Sequence, residues 1–167
     1  TVLVGQDGSS PFPVRDYLAK RRASPASINV AALAGHATIR RRVMGDDFRR
    51  TATLAEVAQM EALLDLEMRD GAMGLSSGLE YEVGSYASTE EVVSLARVAA
   101  RHRGFYISHI RDEADRSLEA IREAIAIGEK AKLPVQLTHL KLGTVDVWNK
   151  AGEVVALVDS ARKRGVD

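Results

Sequence analysis

The chain has 167 residues, of which 46% are hydrophobic, so it is long enough to bury a substantial core. Its 23 acidic and 23 basic residues balance, which argues against a general nucleic-acid or anionic-membrane binder. It contains no cysteine, which excludes disulfides and thiolate metal ligands, and no apolar run approaches the roughly 18 residues that a membrane span needs.

The two ends of the sequence are typical of cuts through a longer protein. Thr1 stands inside an apolar run, "TVLVG", and the final "KRGVD" follows a helical pattern and its terminating glycine. We therefore expect residues 1–167 to be the central part of one domain, truncated at both ends. A cytoplasmic location is expected, although the native N-terminus, where a signal peptide would lie, is not shown.

Five apolar runs predict β-strands, and most are apolar at successive positions, which is typical of strands covered on both faces. They are residues 1–5, 28–35, 72–77, 105–110 and 134–140. Strand and helix patterns alternate at a spacing of roughly 30 to 45 residues, which predicts an α/β fold with a parallel sheet and right-handed crossovers. Five strands cannot close an eight-stranded barrel, so the pattern alone leaves open a partial barrel or an open sheet.

Segments between the predicted strands have the marks of helices. Thr53 with Glu56, and Ser88 with Glu91, have the spacing of capping boxes before apolar residues at helical intervals. Two later segments carry an apolar stripe at the same period: residues 117–131 and 151–165.

Two histidines stand at the C-terminal ends of neighbouring predicted strands. His109 ends the run in "FYISHI", and His139 ends the run in "PVQLTHL". In a parallel barrel the C-terminal strand ends meet on one face, so the two imidazoles are expected to converge. Paired imidazoles suit a zinc-type ion. The alternative is two structural histidines that each bind a loop carbonyl, and the spacing alone does not decide between them.

Other polar residues also follow predicted strands. Asp7 in "GQDGSS" is either a carboxylate on a tight loop near a ligand or part of an ordinary Asp-Gly turn. His36 and Arg40 could line the same edge, although Arg40 begins a run of three arginines, a pattern typical of solvated surface. The glycine- and serine-rich segment 74–88, which includes Tyr81, is either a substrate wall or a plain connection.

Charged residues close to the two histidines have two interpretations each. Those that follow His109 are Arg111, Asp112 and Glu113. They either open the next helix, where acids favour the first turn, or supply a carboxylate that orients His109 through its second ring nitrogen. Lys141 would share a side with His139 if the strand persists, and would then hold an anionic substrate group or stand at the rim.

Four segments together resemble the amidohydrolase superfamily, and within it the N-acyl-D-amino-acid deacylase (D-aminoacylase) group. They are "NVAALAGHATIR", "GAMGLSSGLEYEVGSYASTEEVVSLARVAA", "YISHIRDE" and "PVQLTHLK", in the family's order and with nearly its spacing. The resemblance runs over all 167 residues. It implies a partial TIM-type (β/α)8 barrel, roughly strands 2 to 6 with their helices, while the rest of the barrel and a small β-domain lie outside.

The resemblance implies zinc-dependent hydrolysis of the amide bond of N-acyl-D-amino acids by the intact protein, through water activated by one or two zinc ions. His109 and His139 match the family's histidine zinc ligands. Tyr81 and Lys141 match residues that contact the carboxylate end of the substrate, and Arg40 is a further candidate for substrate binding. The expected partners are a small N-acyl amino acid and the remainder of the barrel, with no nucleic acid and no membrane.

The sequence departs from the family at one position and stops short of others. The family typically has a cysteine ligand in Gly-Asn-Cys-Gly, and here the segment reads "GQDG", with Asp7 at the cysteine position. Aspartate is also a competent zinc ligand, so Asp7 joins the expected metal set, while metal count and substrate range stay open. The family's His-x-His pair and its general acid–base aspartate are expected outside the chain, so the isolated chain is expected to be inactive.

Two rival functions remain open at this point. One is another amidohydrolase activity, either a dihydroorotase-like cyclic amidase or an isoaspartyl dipeptidase, which shares the fold and the metal site. The other is a barrel-derived binding or structural domain without turnover. A substrate panel separates the first from a D-specific deacylase. The second is favoured if the parent gene lacks both the His-x-His pair and the downstream aspartate.

Overall fold

The computed structural model describes residues 1–167, in which short parallel strands alternate with helices. The strands are β1 (Val2–Val4), β2 (Val30–Ala32), β3 (Ala34–Gly35), β4 (Gly74–Gly78), β5 (Phe105–His109) and β6 (Val135–Leu137). The α-helices are α1 (Val14–Ala23), α2 (His36–Met44), α3 (Leu54–Arg69), α4 (Glu82–Ser85), α5 (Thr89–Arg101), α6 (Ser117–Ala131) and α7 (Ala151–Lys163). Two short 3-10 helices cover Gly45–Asp47 and Val145–Lys150.

All strand pairs are parallel, and the strands follow one another in chain order. One ladder joins β1 to β2, and a second runs β3-β4-β5-β6. Only Leu33 separates β2 from β3, and its N–H donates to the carbonyl of Val4 at 2.9 Å. β2 and β3 therefore act as one run that connects the ladders. The five predicted strands and the parallel sheet are confirmed.

The last predicted strand is much shorter than expected. β6 ends at Leu137, and His139 has a φ of 35°, a left-handed conformation outside the β region. Lys141 would share a side with His139 only if the strand persisted, and that condition is not met. Any contact between these two residues must arise from a turn.

One of the two predicted capping boxes is fully formed, and the other is only half formed. Thr53 Oγ1 accepts from the N–H of Glu56 at 3.3 Å, and the Glu56 carboxylate accepts from the N–H of Thr53 at 2.7 Å, so this capping box is confirmed. At α5, Ser88 Oγ accepts from the N–H of Glu91 at 3.2 Å. The Glu91 carboxylate does not bond back, because it turns toward α2, so the second box is only half formed.

The helices form a layer that keeps the strands in place. α3 packs on α5, α5 on α6 and α6 on α7, so consecutive crossover helices lie side by side. Buried apolar residues of the strands and helices form one large cluster, and a smaller cluster lies around α6 and α7. Because every strand points the same way, the segments that follow the strands all emerge at one edge of this layered structure.

Gly35, at the end of β3, makes a close backbone contact with the loop after β1. An added methyl group would lie 2.4 Å from the carbonyl oxygen of Gly8 and 2.9 Å from the nitrogen of Ser10. We expect Gly35→Ala to lower the free energy of unfolding by about 1–3 kcal/mol, because the backbone must move to relieve the overlap.

Chemical denaturation measures this loss, and Gly152→Ala is the matched control. A methyl group at Gly152, in the first turn of α7, meets no atom within 4 Å. Alanine is also the better helix former, so the control should be neutral or slightly stabilising. Equal stability of the two variants would contradict the close approach at Gly35.

Candidate metal centre

The structure brings His109 and His139 into direct contact. His109 ends β5 and is buried, with 5% of its surface exposed, whereas His139 lies on the turn after β6 with 38% of its side chain exposed. Their rings meet edge to face with centroids 4.6 Å apart. Nδ1 of His109 lies 2.9 Å from Nε2 of His139, so the two imidazoles present nitrogens to the same point.

Asp7 reaches the same point from the loop between β1 and α1. One ligand atom from each of Asp7, His109 and His139 lies within 4.8 Å of the other two. Asp7 Oδ1 is buried and has no hydrogen-bond partner. A buried carboxylate oxygen without a partner is costly, and a cation placed between the three groups would remove that cost.

This donor set fits a divalent cation of the zinc type. Ligand atoms of a tetrahedral zinc lie about 3.3 Å apart when zinc–nitrogen bonds are about 2.0–2.1 Å long. The 2.9 Å between the two ring nitrogens needs only a small opening to reach that spacing. Two imidazoles and one carboxylate are also donors that zinc accepts well.

The other ring nitrogen of His109 faces two carboxylates. Nε2 lies 2.8 Å from Oε2 of Glu80 and 3.7 Å from Oε2 of Glu113. An N–H at Nε2 that donates to Glu80 leaves the lone pair on Nδ1, the nitrogen that faces His139. The arrangement therefore favours the tautomer that a metal ligand requires.

Sequence reasoning identified only part of this carboxylate pair. Of the acids that follow His109, Glu113 approaches the ring. Glu80 is closer and was missed, although its place two residues after β4 was a usable signal. Asp112 instead opens the next segment, because its Oδ1 accepts from the N–H groups of Ala114 and Arg116.

Lys141 lies beside His139 and Glu113. Its Nζ is 2.9 Å from Nδ1 of His139 and forms an ion pair with Glu113. Oε1 of Glu113 also lies 2.8 Å from Nδ1 of His139. The turn after β6, and not a persisting strand, thus brings Lys141 to His139.

Tyr81 covers His109 from the segment after β4. Its hydroxyl lies 3.2 Å from Nδ1 of His109, and the two ring centroids are 4.4 Å apart. Partial burial, and then the charges of Asp7, Glu113 and Glu80, raise the pKa of Tyr81 above its ordinary value of 10.0. Near neutral pH the side chain is therefore a neutral phenol that can donate a hydrogen bond.

Arg40 is not at this site, so the prediction that it contacts substrate is wrong. Its side chain has no exposed surface, although it begins the run of three arginines. It forms an ion pair with Glu91 and donates to the backbone carbonyls of Phe48 and Arg50. His36 is equally buried, with Nε2 2.8 Å from Glu91 Oε1, so both residues belong to a buried charge cluster between α2 and α5.

The curated proteins that are similar to this chain are all D-aminoacylases or N-acyl-D-amino-acid deacylases. No family model matches the chain. D-aminoacylase of Alcaligenes xylosoxydans xylosoxydans is 36% identical over 163 residues, which are 97% of this chain and 34% of that protein. N-acyl-D-aspartate deacylase of the same organism is 38% identical over 148 residues, 88% of this chain and 30% of that protein.

Solved structures of the same kinds of enzyme superpose on this chain. A D-aminoacylase crystal structure, said to define a novel subset of amidohydrolases, superposes with a TM-score of 0.89 at 32% identity, over 97% of this chain and 39% of that one. N-acyl-D-glutamate deacylase from Bordetella bronchiseptica, complexed with zinc and a phosphonate inhibitor, gives 0.93 at 34%, over 99% and 40%. This chain belongs to the D-aminoacylase group of the amidohydrolase superfamily.

The match covers nearly all of this chain but only part of each other group member. The chain spans about a third of the length of the curated relatives, with shares of 34%, 30% and 33%. Its strands and helices are thus part of a TIM-type (β/α)8 barrel, as predicted. None of its helices combines the length and the apolar character needed to cross a membrane.

Proposed function

We propose that the complete protein hydrolyses the amide bond of N-acyl-D-amino acids at a zinc site held by Asp7, His109 and His139. The observation that carries this proposal is the convergence of two imidazoles and a buried, unpartnered Asp7 oxygen at one edge of the sheet. The proposed reaction is supported by the chain's similarity to a D-aminoacylase and to an N-acyl-D-aspartate deacylase. The N-acyl-D-glutamate deacylase structure with zinc supports the metal.

Each residue of the proposed site has a defined task. A zinc ion held by these residues would supply the Lewis acidity for activating water and polarising an amide carbonyl. His109 presents Nδ1 because Glu80 holds the opposite nitrogen at 2.8 Å, and His139 presents Nε2. Asp7 adds the negative charge that partly neutralises a divalent ion. Its oxygen is free to do so because it has no protein partner.

Tyr81 and Lys141 are proposed to bind the substrate. Both contact the histidines, so donors at these two positions lie next to the proposed reaction centre. The neutral phenol of Tyr81 and the ammonium group of Lys141 suit a carboxylate, which every N-acyl amino acid carries. The substrate carboxylate would take over the Lys141 contact that Glu113 now makes. Binding energy at this end would orient the amide at the metal.

The proposed reaction also needs groups from the rest of the barrel. Hydrolysis by activated water requires a proton acceptor as well as the ion. We infer that an acid–base residue and further ligands come from outside residues 1–167, so that this chain alone is inactive. The number of ions depends on those ligands. A binuclear metal centre is described for a D-aminoacylase that superposes here with a TM-score of 0.88.

The test is hydrolysis of paired N-acetyl-D- and N-acetyl-L-amino acids by the complete protein. We expect release of amino acid from the D-series, loss of activity with a zinc chelator, and recovery when zinc is restored. The panel should include acidic and apolar side chains, dihydroorotate and an isoaspartyl dipeptide. Turnover of only the last two substrates would replace the deacylase proposal with a cyclic amidase or a dipeptidase. No turnover of any substrate by zinc-loaded protein would contradict hydrolysis itself.

A further inference from the structure

Ser76, in the middle of β4, links the sheet to the loop that carries Asp7. It has no exposed surface, and its hydroxyl donates to the carbonyl of Gly5 at 2.5 Å. The same oxygen accepts from the N–H of Gly8 at 3.3 Å. The two hydrogen bonds bracket Gln6 and Asp7, so one buried hydroxyl fixes both sides of the turn that places the Asp7 carboxylate.

The turn that carries Asp7 has a left-handed backbone and packs closely against the sheet. Asp7 has a φ of 57°, in the left-handed region that aspartate adopts more readily than most residues with a side chain. The loop also lies tightly against the sheet. A methyl group at Gly78 would come within 2.4 Å of the Asp7 carbonyl oxygen, and one at Gly8 within 2.8 Å of the Gly78 nitrogen. Because the loop lies against β4, the Ser76 hydroxyl is within hydrogen-bond distance of both Gly5 and Gly8.

We propose that Ser76 is a positioning residue for metal binding, which acts by holding the Gly5–Gly8 turn so that Asp7 meets His109 and His139. The inference rests on the proposed function, since it takes Asp7 as a metal ligand. Asp7 Oδ1 is buried without a partner beside both imidazoles, so no other side chain is fixing that oxygen at the site. Ser76 fixes it through the backbone instead.

The next residue provides a matched control. Ser77 is also without exposed surface, but its hydroxyl bonds to Tyr106 Oη at 2.6 Å and to Ser108 Oγ at 3.1 Å. Neither bond reaches the Asp7 loop. Ser76→Ala and Ser77→Ala therefore remove the same group from adjacent buried positions, and only the first releases the turn.

The experiment measures the zinc affinity of the complete protein by competition with a chromophoric chelator. Ser76→Ala and Ser77→Ala are each compared in the native protein and in a protein that also carries Asp7→Ala. Removing a direct hydrogen-bond partner of a metal ligand typically weakens binding about 10–100-fold. Because Ser76 acts through the backbone on either side of Asp7, we expect Ser76→Ala to weaken binding by about 10-fold, the low end of that range. Ser77→Ala should lower the thermal midpoint of the metal-free protein but leave zinc affinity within about two-fold. In the Asp7→Ala background, Ser76→Ala should have no further effect on affinity.

The outcomes separate the two proposals. Unchanged affinity in Asp7→Ala would overturn Asp7 as a ligand and, with it, this inference. Weaker binding in Asp7→Ala together with native affinity in Ser76→Ala would overturn the positioning role alone. Equal losses of affinity in Ser76→Ala and Ser77→Ala would also overturn it, because they would show a general effect of a lost buried hydroxyl. Circular dichroism of the metal-free variants checks that each is folded.

Discussion

Replacing His109 by alanine in the complete protein should abolish stoichiometric zinc binding and the zinc-dependent hydrolysis with it. His109 is the buried member of the site, and its Nδ1 lies 2.9 Å from His139. Loss of an outer partner already costs about 10–100-fold in metal affinity, so loss of the ligand itself should cost more than about 100-fold. Metal content after dialysis against buffered zinc is the measurement.

His102→Ala is the control for the loss of a histidine. His102 caps the end of α5, and its Nε2 lies 2.8 Å from Asp65 of α3, away from the strand ends. This variant should retain zinc at the level of the unchanged protein. One equivalent of zinc retained by His109→Ala would show that the metal binds elsewhere and would remove the basis of the proposed site.

Replacing Arg40 by methionine should lower the free energy of unfolding by about 3–5 kcal/mol, the usual cost of removing one partner of a buried ion pair. Methionine fills part of the volume but leaves Glu91 buried with less compensation, and it leaves two backbone carbonyls without their donor. Chemical denaturation of the metal-free protein measures the loss. Arg42→Ala is the control, since Arg42 is exposed and only lies over the ring of Phe12.

The pH dependence of stability provides a second readout of the Arg40 variant. Burial acts to raise the pKa of Glu91, but the hydrogen bonds and charges of His36 and Arg40 outweigh it, so the pKa lies below 4.5 in the folded state. A lowered carboxyl pKa contributes stability above about pH 4.5 that is lost as the pH falls through the folded value. This acid loss should be smaller in Arg40→Met. An unchanged acid profile would mean that Arg40 does not stabilise the Glu91 charge.

The parts of the fold that follow from local pattern were predictable. Apolar runs between helical segments identified the five strands, and the strand-end positions of His109 and His139 implied that the two side chains meet. In a parallel sheet the C-terminal ends of the strands share one edge, so residues at those ends are expected to lie close together. Asp7 was predicted less directly, because an Asp-Gly turn looks the same whether or not its carboxylate is free.

The parts that depend on distant partners were not predictable. Three successive arginines are typical of solvent-exposed surface, and nothing near Arg40 reveals that Glu91, 51 residues later, will bury its charge. The same partnership explains why Glu91 leaves its capping box half formed. The place of Glu80 just after β4 was a usable signal, but its contact with the His109 ring also depends on the turn after that strand.

The donor set at the strand ends also bears on oxidative damage. The three converging side chains offer only nitrogen and oxygen atoms, and the chain contains no cysteine. Thiolate ligands can be lost to peroxide through sulfenic and sulfinic acids, whereas a carboxylate has no such oxidation ladder. A metal ion held by Asp7, His109 and His139 would therefore offer peroxide or thiol-alkylating reagents no sulfur to attack among these three ligands.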